Sequence, residues 1–382
     1  MKIELALKLI IILMTLKIAS PLGVFFVTFS LPIAISLFVL FFSQGKFLAH
    51  RIVISGVFPV VLLLLSWLLL FTNGKYSIEL YAHYFYVTSV ISIFILSCLI
   101  NSLNDYFYSS KFWLGLTKNL IVFHCGILIA QLVLYHSIGV KIDFGELTGG
   151  NEIRAMYSFN GVDVFRASGI FEEPSIFSAY MFSFIVIRYL FNGNGIDRYI
   201  LLGTTCMLMT WSAMAIILVS LFYVVSSIRF NIVSVLITSV MLIVIGYFSS
   251  DFILLRYENT MSGLDPSNLT KMTVITEFIN NRELFLYGYG LIRKNMFYGL
   301  DGLGDTTVYS SLITIFGFVI GGLLTLILLM GLFLSKLSVK EKILLAAVFI
   351  KFAWPGYVFF WFLFSYSVNM AWYSKNEKNS DL

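Results

Sequence analysis

The chain has 382 residues, of which 59% are hydrophobic and only 12% are charged, and its formal net charge is +5. Soluble domains are about 25% charged, and several apolar runs in this chain are long enough to cross a bilayer, so an ordinary soluble protein is excluded. The three cysteines all lie inside apolar runs, which leaves no framework for disulfides or for a metal site.

Twelve apolar runs predict transmembrane helices, so we expect an all-α integral membrane protein. The first run resembles a signal peptide, but Lys17 interrupts it and Pro21 directly follows the small residues of the possible cleavage site, which favours an uncleaved helix. The predicted spans are Leu5–Ala19, Leu22–Phe42, Ile52–Phe71, Tyr81–Ile100, Leu120–Ile138, Ile176–Phe191, Tyr199–Thr210, Ser212–Ser227, Ile232–Phe248, Thr307–Leu334, Ile343–Ala353 and Tyr357–Trp372.

Lysines and arginines predict which ends of these spans face the cytoplasm, because short cytoplasmic loops carry an excess of both. With both termini inside, thirteen lysines and arginines flank the cytoplasmic ends, and the short outer loops carry only Lys75. This distribution requires the apolar stretches 199–227 and 343–372 each to turn back on themselves. The predicted location is the inner membrane of a bacterium, and the net positive charge reflects topology rather than nucleic-acid binding.

Two long segments are predicted to lie outside, on the periplasmic face. Together they hold thirteen of the twenty acidic residues, and long charged loops between spans usually carry function. The chain then divides into about five spans in 1–138, the first long loop in 139–175, central spans in 176–248, the second long loop in 249–306, and the last spans with a cytoplasmic tail in 307–382.

A short amphipathic helix is predicted within the second long loop, near 266–281. Asp265 is suited to cap a helix that begins at Pro266, because proline is tolerated at the first helical position. We expect an apolar face of this helix to lie on the membrane surface or to pack over the ends of the spans. The residues of that face recur at every third position and are Leu269, Met272, Ile275 and Phe278.

The densest cluster of ionisable residues lies where the first long loop re-enters the membrane. Arg166, Glu172 and Glu173 fall within eight residues of one another. One interpretation is structural, because two carboxylates before Pro174 suit the start of a helix and Arg166 could pair with either. The other is catalytic, because charge at a membrane boundary costs desolvation energy unless a partner or a substrate is present.

Further cations in the long loops oppose the usual charge distribution of membrane proteins, in which outer loops are poor in lysine and arginine. Each one alone is most simply a solvated charge, but a forked guanidinium also suits phosphate oxygens. An anionic substrate therefore accounts for several of them together. The candidate substrate-binding arginines are Arg154, Arg256, Arg282 and Arg293.

Two other positions in the second long loop are candidates for substrate binding. Tyr289 lies between the glycines of segment 287–290, which predict a turn with close backbone approach. Asp305 precedes a long helix that contains Gly317 and Gly321, and it fits either a helix N-cap or a substrate contact. The sequence contains no P-loop, Rossmann glycine pattern or zinc motif, so no nucleotide or metal is expected.

These features resemble the O-antigen polymerase and ligase superfamily of bacterial envelope glycosyltransferases. The likeness covers residues 150–335 and rests on three motifs. The first is Arg166-Ala167-Ser168-Gly169-Ile170-Phe171, which leads through Glu173-Pro174-Ser175 into a span. The second is Gly288-Tyr289-Gly290 in the late loop, and the third is Asp305 before a glycine-bearing helix. The resemblance implies a membrane fold of the GT-C kind, no cofactor, and a donor and an acceptor that are oligosaccharides on undecaprenyl pyrophosphate. Ligases of the superfamily use a histidine in the late outer loop, and its absence here favours a polymerase.

A mechanism follows as a hypothesis. Arg166, with Arg282 or Arg256, would hold the pyrophosphate, and Glu173 or Glu172 would deprotonate the incoming sugar hydroxyl in an inverting reaction. A chain-length regulator and a flippase in the same membrane are possible protein partners. Two alternatives stay open, which are a ligase that transfers the glycan to lipid A-core and a flippase that transports the lipid-linked oligosaccharide.

Overall fold

A computed structural model gives the fold of the chain. It describes residues 2–18, 20–42, 49–72, 80–150, 156–159, 162–227, 266–291, 306–352 and 354–372, with a few isolated positions between 228 and 265. Within these residues the protein is mainly helical, and five helices are long and apolar enough to cross a membrane. The expectation of a helical, membrane-embedded protein is confirmed at this level.

The helices of the N-terminal part follow the predicted spans with shifted ends. The first helix ends at Thr15 rather than at Ala19, and the second begins at Pro21, since proline is suited to the first helical position. A π-helical turn, Val53–Val57, joins α3 to α4. The bounds are α1 Lys2–Thr15, α2 Pro21–Phe42, α3 Ala49–Ile52, α4 Phe58–Thr72, α5 Leu80–Ser102, α6 Asn104–Phe107 and α7 Ser110–Ile138.

The first long loop contains a short helix and a hairpin that the sequence analysis did not predict. The helix is α8, Phe144–Leu147. Strands β1, Met156–Phe159, and β2, Val162–Phe165, pair in antiparallel fashion, with Met156 opposite Phe165. The hairpin returns the chain to α7, where the ring of Phe165 stacks 4.3 Å from the ring of Tyr135.

The apolar stretch 199–227 turns back on itself, as predicted. It forms α10, Arg198–Met209, and α11, Ala213–Ser227, and both pack against α9, Pro174–Phe191. The pair is antiparallel, because the hydroxyls of Thr204 and Tyr223 meet at 3.0 Å across it. The predicted span Ile232–Phe248 lies outside the described residues apart from isolated positions.

The second long loop forms two helices, α12, Pro266–Asn280, and α13, Arg282–Tyr287, and the first begins at the proline as predicted. The predicted apolar face is confirmed only in part, because Phe278 is buried but Met272 is 62% exposed, and Val274, which is not one of the predicted residues, is fully buried. An α-helix has 3.6 residues per turn, so residues three positions apart are offset by about 60° around the helix axis. Four residues at this spacing therefore do not all lie on one face. α12 packs against α13 and against a shorter helix that begins at Val308.

The predicted single span Thr307–Leu334 is wrong, because it is interrupted. It consists of α14, Val308–Phe316, and α15, Phe318–Leu334, which meet at Gly317. Gly317 has a φ of +81°, which glycine adopts readily and which ends the first helix. A Cβ at this position would lie 2.2 Å from the carbonyl oxygen of Leu286, so the backbones of two segments are in direct contact.

The last apolar stretch also departs from the prediction. In place of Ile343–Ala353 the structure has α16, Val339–Val348, which begins at a capping box formed by Ser338 and Glu341. Ten residues at 1.5 Å per residue give about 15 Å, half of the hydrocarbon core of a bilayer. The chain continues into α17, Val358–Asn369, and a 3₁₀ turn, Met370–Trp372.

Close contacts show which ends of the C-terminal helices lie beside the other helices of the bundle. The end of α15 lies beside the end of α17, since a Cβ on Gly331 would meet the Cα of Val368 at 2.5 Å. Tyr108, just before α7, donates a hydrogen bond from its hydroxyl to the carbonyl of Asn369 at 3.1 Å. The end of α17 therefore lies beside the start of α7.

One end of the bundle gathers a group of eight described lysines and arginines. Arg188, near the end of α9, donates to the carbonyl of Leu114 at 2.7 Å, and the guanidinium of Arg51 lies 6.0 Å from the ring of Trp372. We call this the basic end, and its cations are Arg51, Lys111, Lys118, Arg188, Arg198, Lys336, Lys340 and Lys342. All of them are predicted cytoplasmic flanks, and which end faces the cytoplasm stays a prediction.

Candidate functional site

Three segments that are distant in sequence meet at the opposite end of the bundle, which we call the site end. They are the connection between α1 and α2, the end of the first long loop, and the connection between α16 and α17. The ammonium of Lys17 joins them, because it lies 2.8 Å from a carboxylate oxygen of Glu172 and 4.0 Å from the ring centre of Tyr357. The ionisable cluster predicted at residues 166–173 is therefore larger than the sequence indicated.

A tight turn shapes the loop that carries the cluster. Gly169 has a φ of +63°, a conformation that costs other residues about 1 kcal/mol or more. The hydroxyl of Ser168 closes the turn by donating to the carbonyl of Phe171 at 2.7 Å. The geometry of this turn places Glu172 and Glu173 directly at the start of α9.

A buried glutamine in α7 fixes this turn from below. The amide nitrogen of Gln131 donates to the carbonyls of Gly169 and Ile142, each at 2.9 Å, and its amide oxygen accepts from the Gly169 N–H at 2.8 Å. Gln131 is fully buried, so these bonds satisfy backbone groups that water cannot reach. The loop is thus held in one conformation against the membrane helices.

Aromatic rings form a layer beneath the loop. Phe171 packs 4.7 Å from Tyr180 of α9 and 5.3 Å from the ring of His124 in α7, measured between ring centres. His124 is itself stacked between Phe171 and Phe184, and within the described part of the chain its two ring nitrogens have no hydrogen-bond partner. These rings separate the ionisable cluster from the interior of the bundle.

Lys17 and Glu172 differ in how far water reaches them. The side chain of Lys17 is 10% exposed and that of Glu172 is 40% exposed. A buried ammonium is costly unless an anion or an aromatic face offsets the lost hydration. Glu172 and Tyr357 supply both, and they fix the α1–α2 connection to the loop across 155 residues of sequence.

The structural interpretation of the second carboxylate is confirmed in part. Glu173 is the N-cap residue of α9 and Pro174 takes the first helical position, as the sequence indicated. Its carboxylate accepts a hydrogen bond from the hydroxyl of Ser175 at 2.9 Å. Glu173 is half-buried, as is Arg166 at the start of the same loop, so both side chains lie at the boundary between protein and solvent.

The candidates in the second long loop divide into described and undescribed residues. Arg282 is exposed at the first position of α13. Tyr289 is buried, and its hydroxyl donates to Glu277 at 3.0 Å, so burial and the neighbouring carboxylate raise the pKa of this tyrosine. This gives Tyr289 a contact within the loop. The candidates Arg154, Arg256, Arg293 and Asp305 lie outside the described residues.

The end of the second long loop lies close to the site end. The Val308 N–H, at the start of α14, donates to the carbonyl of Phe349 at 3.0 Å. Three residues further on, the ring of Phe352 packs 4.7 Å from Tyr180, which in turn contacts Phe171. The connection between α16 and α17 therefore lies between the two loops, and both converge on one region of the bundle.

Comparisons with known proteins do not add to this picture. No family model, curated protein or solved structure matches the chain. Among the described residues, no three histidine, cysteine, aspartate or glutamate side chains form a group that could hold a metal ion. The expectation of a site without metal or cofactor stays a prediction.

Two residues of the site were missed by sequence reasoning. Lys17 was recognised only as a charge at the end of an apolar run, and Gln131 lies in a predicted span without any motif. An isolated polar side chain inside an apolar segment is the one signal that marks both, because membrane helices bury such groups only against a partner. The partners themselves depend on the fold.

Proposed function

We propose that the chain is a glycosyltransferase that polymerises oligosaccharide repeat units carried on undecaprenyl pyrophosphate, as its resemblance to O-antigen polymerases implies. The observation that supports this most is the ion pair between the buried Lys17 and Glu172 at the site end, in the same loop that carries Arg166 and Glu173. The basic end carries the cations that the positive-inside rule assigns to the cytoplasm. The site end would then face the periplasm, where lipid-linked repeat units are used.

The proposed reaction needs little acid assistance, because the donor sugar is already attached to a diphosphate leaving group. The acceptor hydroxyl oxygen attacks the anomeric carbon of the donor, and the bond from that carbon to the phosphate oxygen breaks with its electron pair going to the diphosphate. Arg166, together with Arg282 or Arg256, stabilises the negative charge that develops there. The hydroxyl proton passes to a carboxylate, and direct displacement inverts the configuration.

The two carboxylates are not equivalent for the role of base. Glu172 is held by the Lys17 ammonium at 2.8 Å, so this carboxylate is already engaged in an ion pair. Glu173 is the N-cap residue of α9, and its carboxylate accepts a hydrogen bond from the hydroxyl of Ser175 at 2.9 Å. We therefore assign deprotonation of the acceptor hydroxyl to Glu173.

The test is the banding pattern of surface polysaccharide in a strain that lacks the chain. A polymerase predicts a single-repeat product and loss of the long-chain ladder. In complemented strains, Arg166→Ala and Glu173→Ala should each abolish the ladder, and Arg166→Lys should also fail because an ammonium lacks the planar fork. Arg198→Ala, which changes an exposed arginine at the basic end, is the matched control and should retain it.

The same strains separate the alternatives. Loss of a ligase leaves free polymer on the lipid carrier, and loss of a flippase blocks every outer glycan product. If Arg166→Ala and Glu173→Ala both leave the ladder unchanged, the assignment of the site is wrong.

One observation bears on the transporter alternative. Transporters often bind substrate at helices that are interrupted within the membrane, and α14 and α15 are interrupted at Gly317. Here the carbonyls of Thr314 and Ile315 accept hydrogen bonds from the N–H groups of Tyr289 and Gly290, at 2.9 and 2.7 Å. The chain's own backbone fills the break, which favours the enzyme over the carrier.

A further inference from the structure

The Lys17 ammonium has an unusual position for a lysine. It lies in the short connection between α1 and α2, it is almost completely buried, and the Glu172 carboxylate and the face of Tyr357 lie beside it. An ammonium carries three N–H donors. Glu172 is at hydrogen-bond distance from this group, and Tyr357 lies over it at 4.0 Å.

The two members of the ion pair differ in how easily each could leave it. Lys17 is enclosed by the bundle, whereas the Glu172 side chain is 40% exposed and belongs to the loop that borders the site. Rehydration offsets much of the cost when an exposed carboxylate leaves an ion pair. A buried cation has no such compensation, so Lys17 needs an anion at this position whether or not Glu172 provides it.

We propose that Lys17 is a phosphate-binding residue of the site and that the Glu172 carboxylate occupies the position that a phosphate oxygen of the substrate takes. This inference rests on the proposed function for its substrate class, a polyprenyl diphosphate. Binding exchanges one anionic oxygen for another on the same ammonium, and the displaced carboxylate turns toward solvent. Lys17 thereby supplies a cation to the loop that also carries Arg166, from a segment 149 residues earlier in the chain.

The experiment is a binding measurement on the full-length protein, purified and placed in nanodiscs of phosphatidylcholine. Inorganic pyrophosphate and farnesyl pyrophosphate are the two probes, titrated by calorimetry. The variants are Lys17→Met, which removes the cation, and Glu172→Gln, which removes the competing charge. Lys336→Met, which changes an exposed lysine at the basic end, is the matched control.

The expected results have opposite signs for the two partners. Lys17→Met should weaken pyrophosphate binding by roughly tenfold or more, the value of one charge-assisted hydrogen bond. Glu172→Gln should tighten it by several-fold, a gain that misfolding cannot imitate. Lys336→Met should bind as the unchanged protein does. Binding by Lys17→Met at the original affinity, or weaker binding by Glu172→Gln, would overturn the proposal.

Two further arms identify the source of the phosphate and keep this inference separate from the proposed function. Nanodiscs that contain phosphatidylglycerol offer headgroup phosphates without the choline cation of phosphatidylcholine, and competition as strong as that of inorganic pyrophosphate would assign the position to lipid and overturn the diphosphate proposal. The polysaccharide ladder tests polymerisation independently. Loss of the ladder in Glu173→Ala with no effect of Lys17→Met on binding refutes the inference alone, whereas the reverse pattern refutes the function alone.

Discussion

Gln131 is the residue on which the shape of the candidate site most depends. Gln131→Leu keeps the volume but leaves the N–H and carbonyl of Gly169 without their partner, and we expect the free energy of unfolding to fall by about 2 kcal/mol or more. Thermal unfolding in detergent measures this loss. Ser178→Ala removes a buried hydroxyl that bonds only within its own helix, and its smaller effect is the control. Equal shifts in the two variants would contradict the prediction.

Gly169 offers a second test at the same turn. Gly169→Ala should lower the melting temperature more than Gly149→Ala, although both glycines have positive φ, at +63° and +74°. A Cβ at Gly169 would lie 3.3 Å from the Phe177 ring, whereas at Gly149 nothing lies within 4 Å. Both variants carry the backbone cost of about 1 kcal/mol. An equal decrease in the melting temperature of both variants would show that the Phe177 ring moves aside without cost, and would contradict the prediction.

At the basic end, Asp197 predicts a pH dependence of stability. Burial alone would raise the pKa of this carboxyl, but hydrogen bonds from Arg188 and from the backbone of Ile200 hold it below its ordinary value of 3.8. The folded protein therefore binds fewer protons here than the unfolded chain. The stabilisation is fully present above about pH 4 and is lost as the pH falls through the folded pKa.

The measurement is thermal unfolding from pH 6 to pH 3. Asp197→Asn should flatten the acid limb relative to the unchanged protein. In an Arg188→Met background, where the main partner is absent, the same substitution should make much less difference. An acid limb unchanged by Asp197→Asn would exclude this carboxyl as its source.

Among the elements, the break between α14 and α15 shows a limit of reading sequence. Gly317 and Gly321 lie inside one long predicted span, but glycine also allows a helix to end. The sequence alone therefore could not distinguish a continuous helix from an interrupted one. The helix is interrupted where segment 284–290 contacts the end of α14. The contact is so close that a Cβ on Gly288 would lie 2.3 Å from the carbonyl oxygen of Ile315. Such a contact depends on residues about thirty positions away.

A substitution tests the break directly. Gly317→Ala should destabilise the protein by several kcal/mol, since the methyl group would meet the Leu286 backbone at 2.2 Å and backbone yields little. Gly322→Ala, inside α15 with nothing within 4 Å, should be neutral or slightly stabilising because alanine favours the helix. Folded yield after detergent extraction and the melting temperature are the readouts. Similar behaviour of both variants would be evidence against the close approach.

The predictable elements are those whose signal is local. The ends of α2, α9 and α11 lie within about two residues of prediction, because apolar runs bounded by proline or charge define them. The face of α12 was predicted only in part, because its buried side depends on α13 and α14, which the apolar pattern does not encode. The candidate cluster at Arg166, Glu172 and Glu173 was found for a local reason too, whereas Lys17 required the fold.

For the whole molecule, the assignment of the two ends to the two sides of the membrane is open to a labelling test. The native cysteines Cys98, Cys125 and Cys206 are all buried, so background reaction should be low. Glu146→Cys, exposed in the first long loop, should react with a membrane-impermeant maleimide added to intact spheroplasts. Lys336→Cys, exposed at the basic end, should react only after permeabilisation. The reversed pattern would place the candidate site in the cytoplasm and refute the proposed enzyme.

The pairing of Lys17 with Glu172 also sets an order for biogenesis. The ribosome synthesises Lys17 155 residues before Glu172. The ammonium of Lys17 therefore has no carboxylate partner while the helices up to α7 and the first long loop are being made. Translation has to reach the start of α9 before that charge is neutralised. A chain truncated before Glu172 keeps Lys17 without this ion pair near the bilayer, and this unpaired cation distinguishes it from the full-length protein.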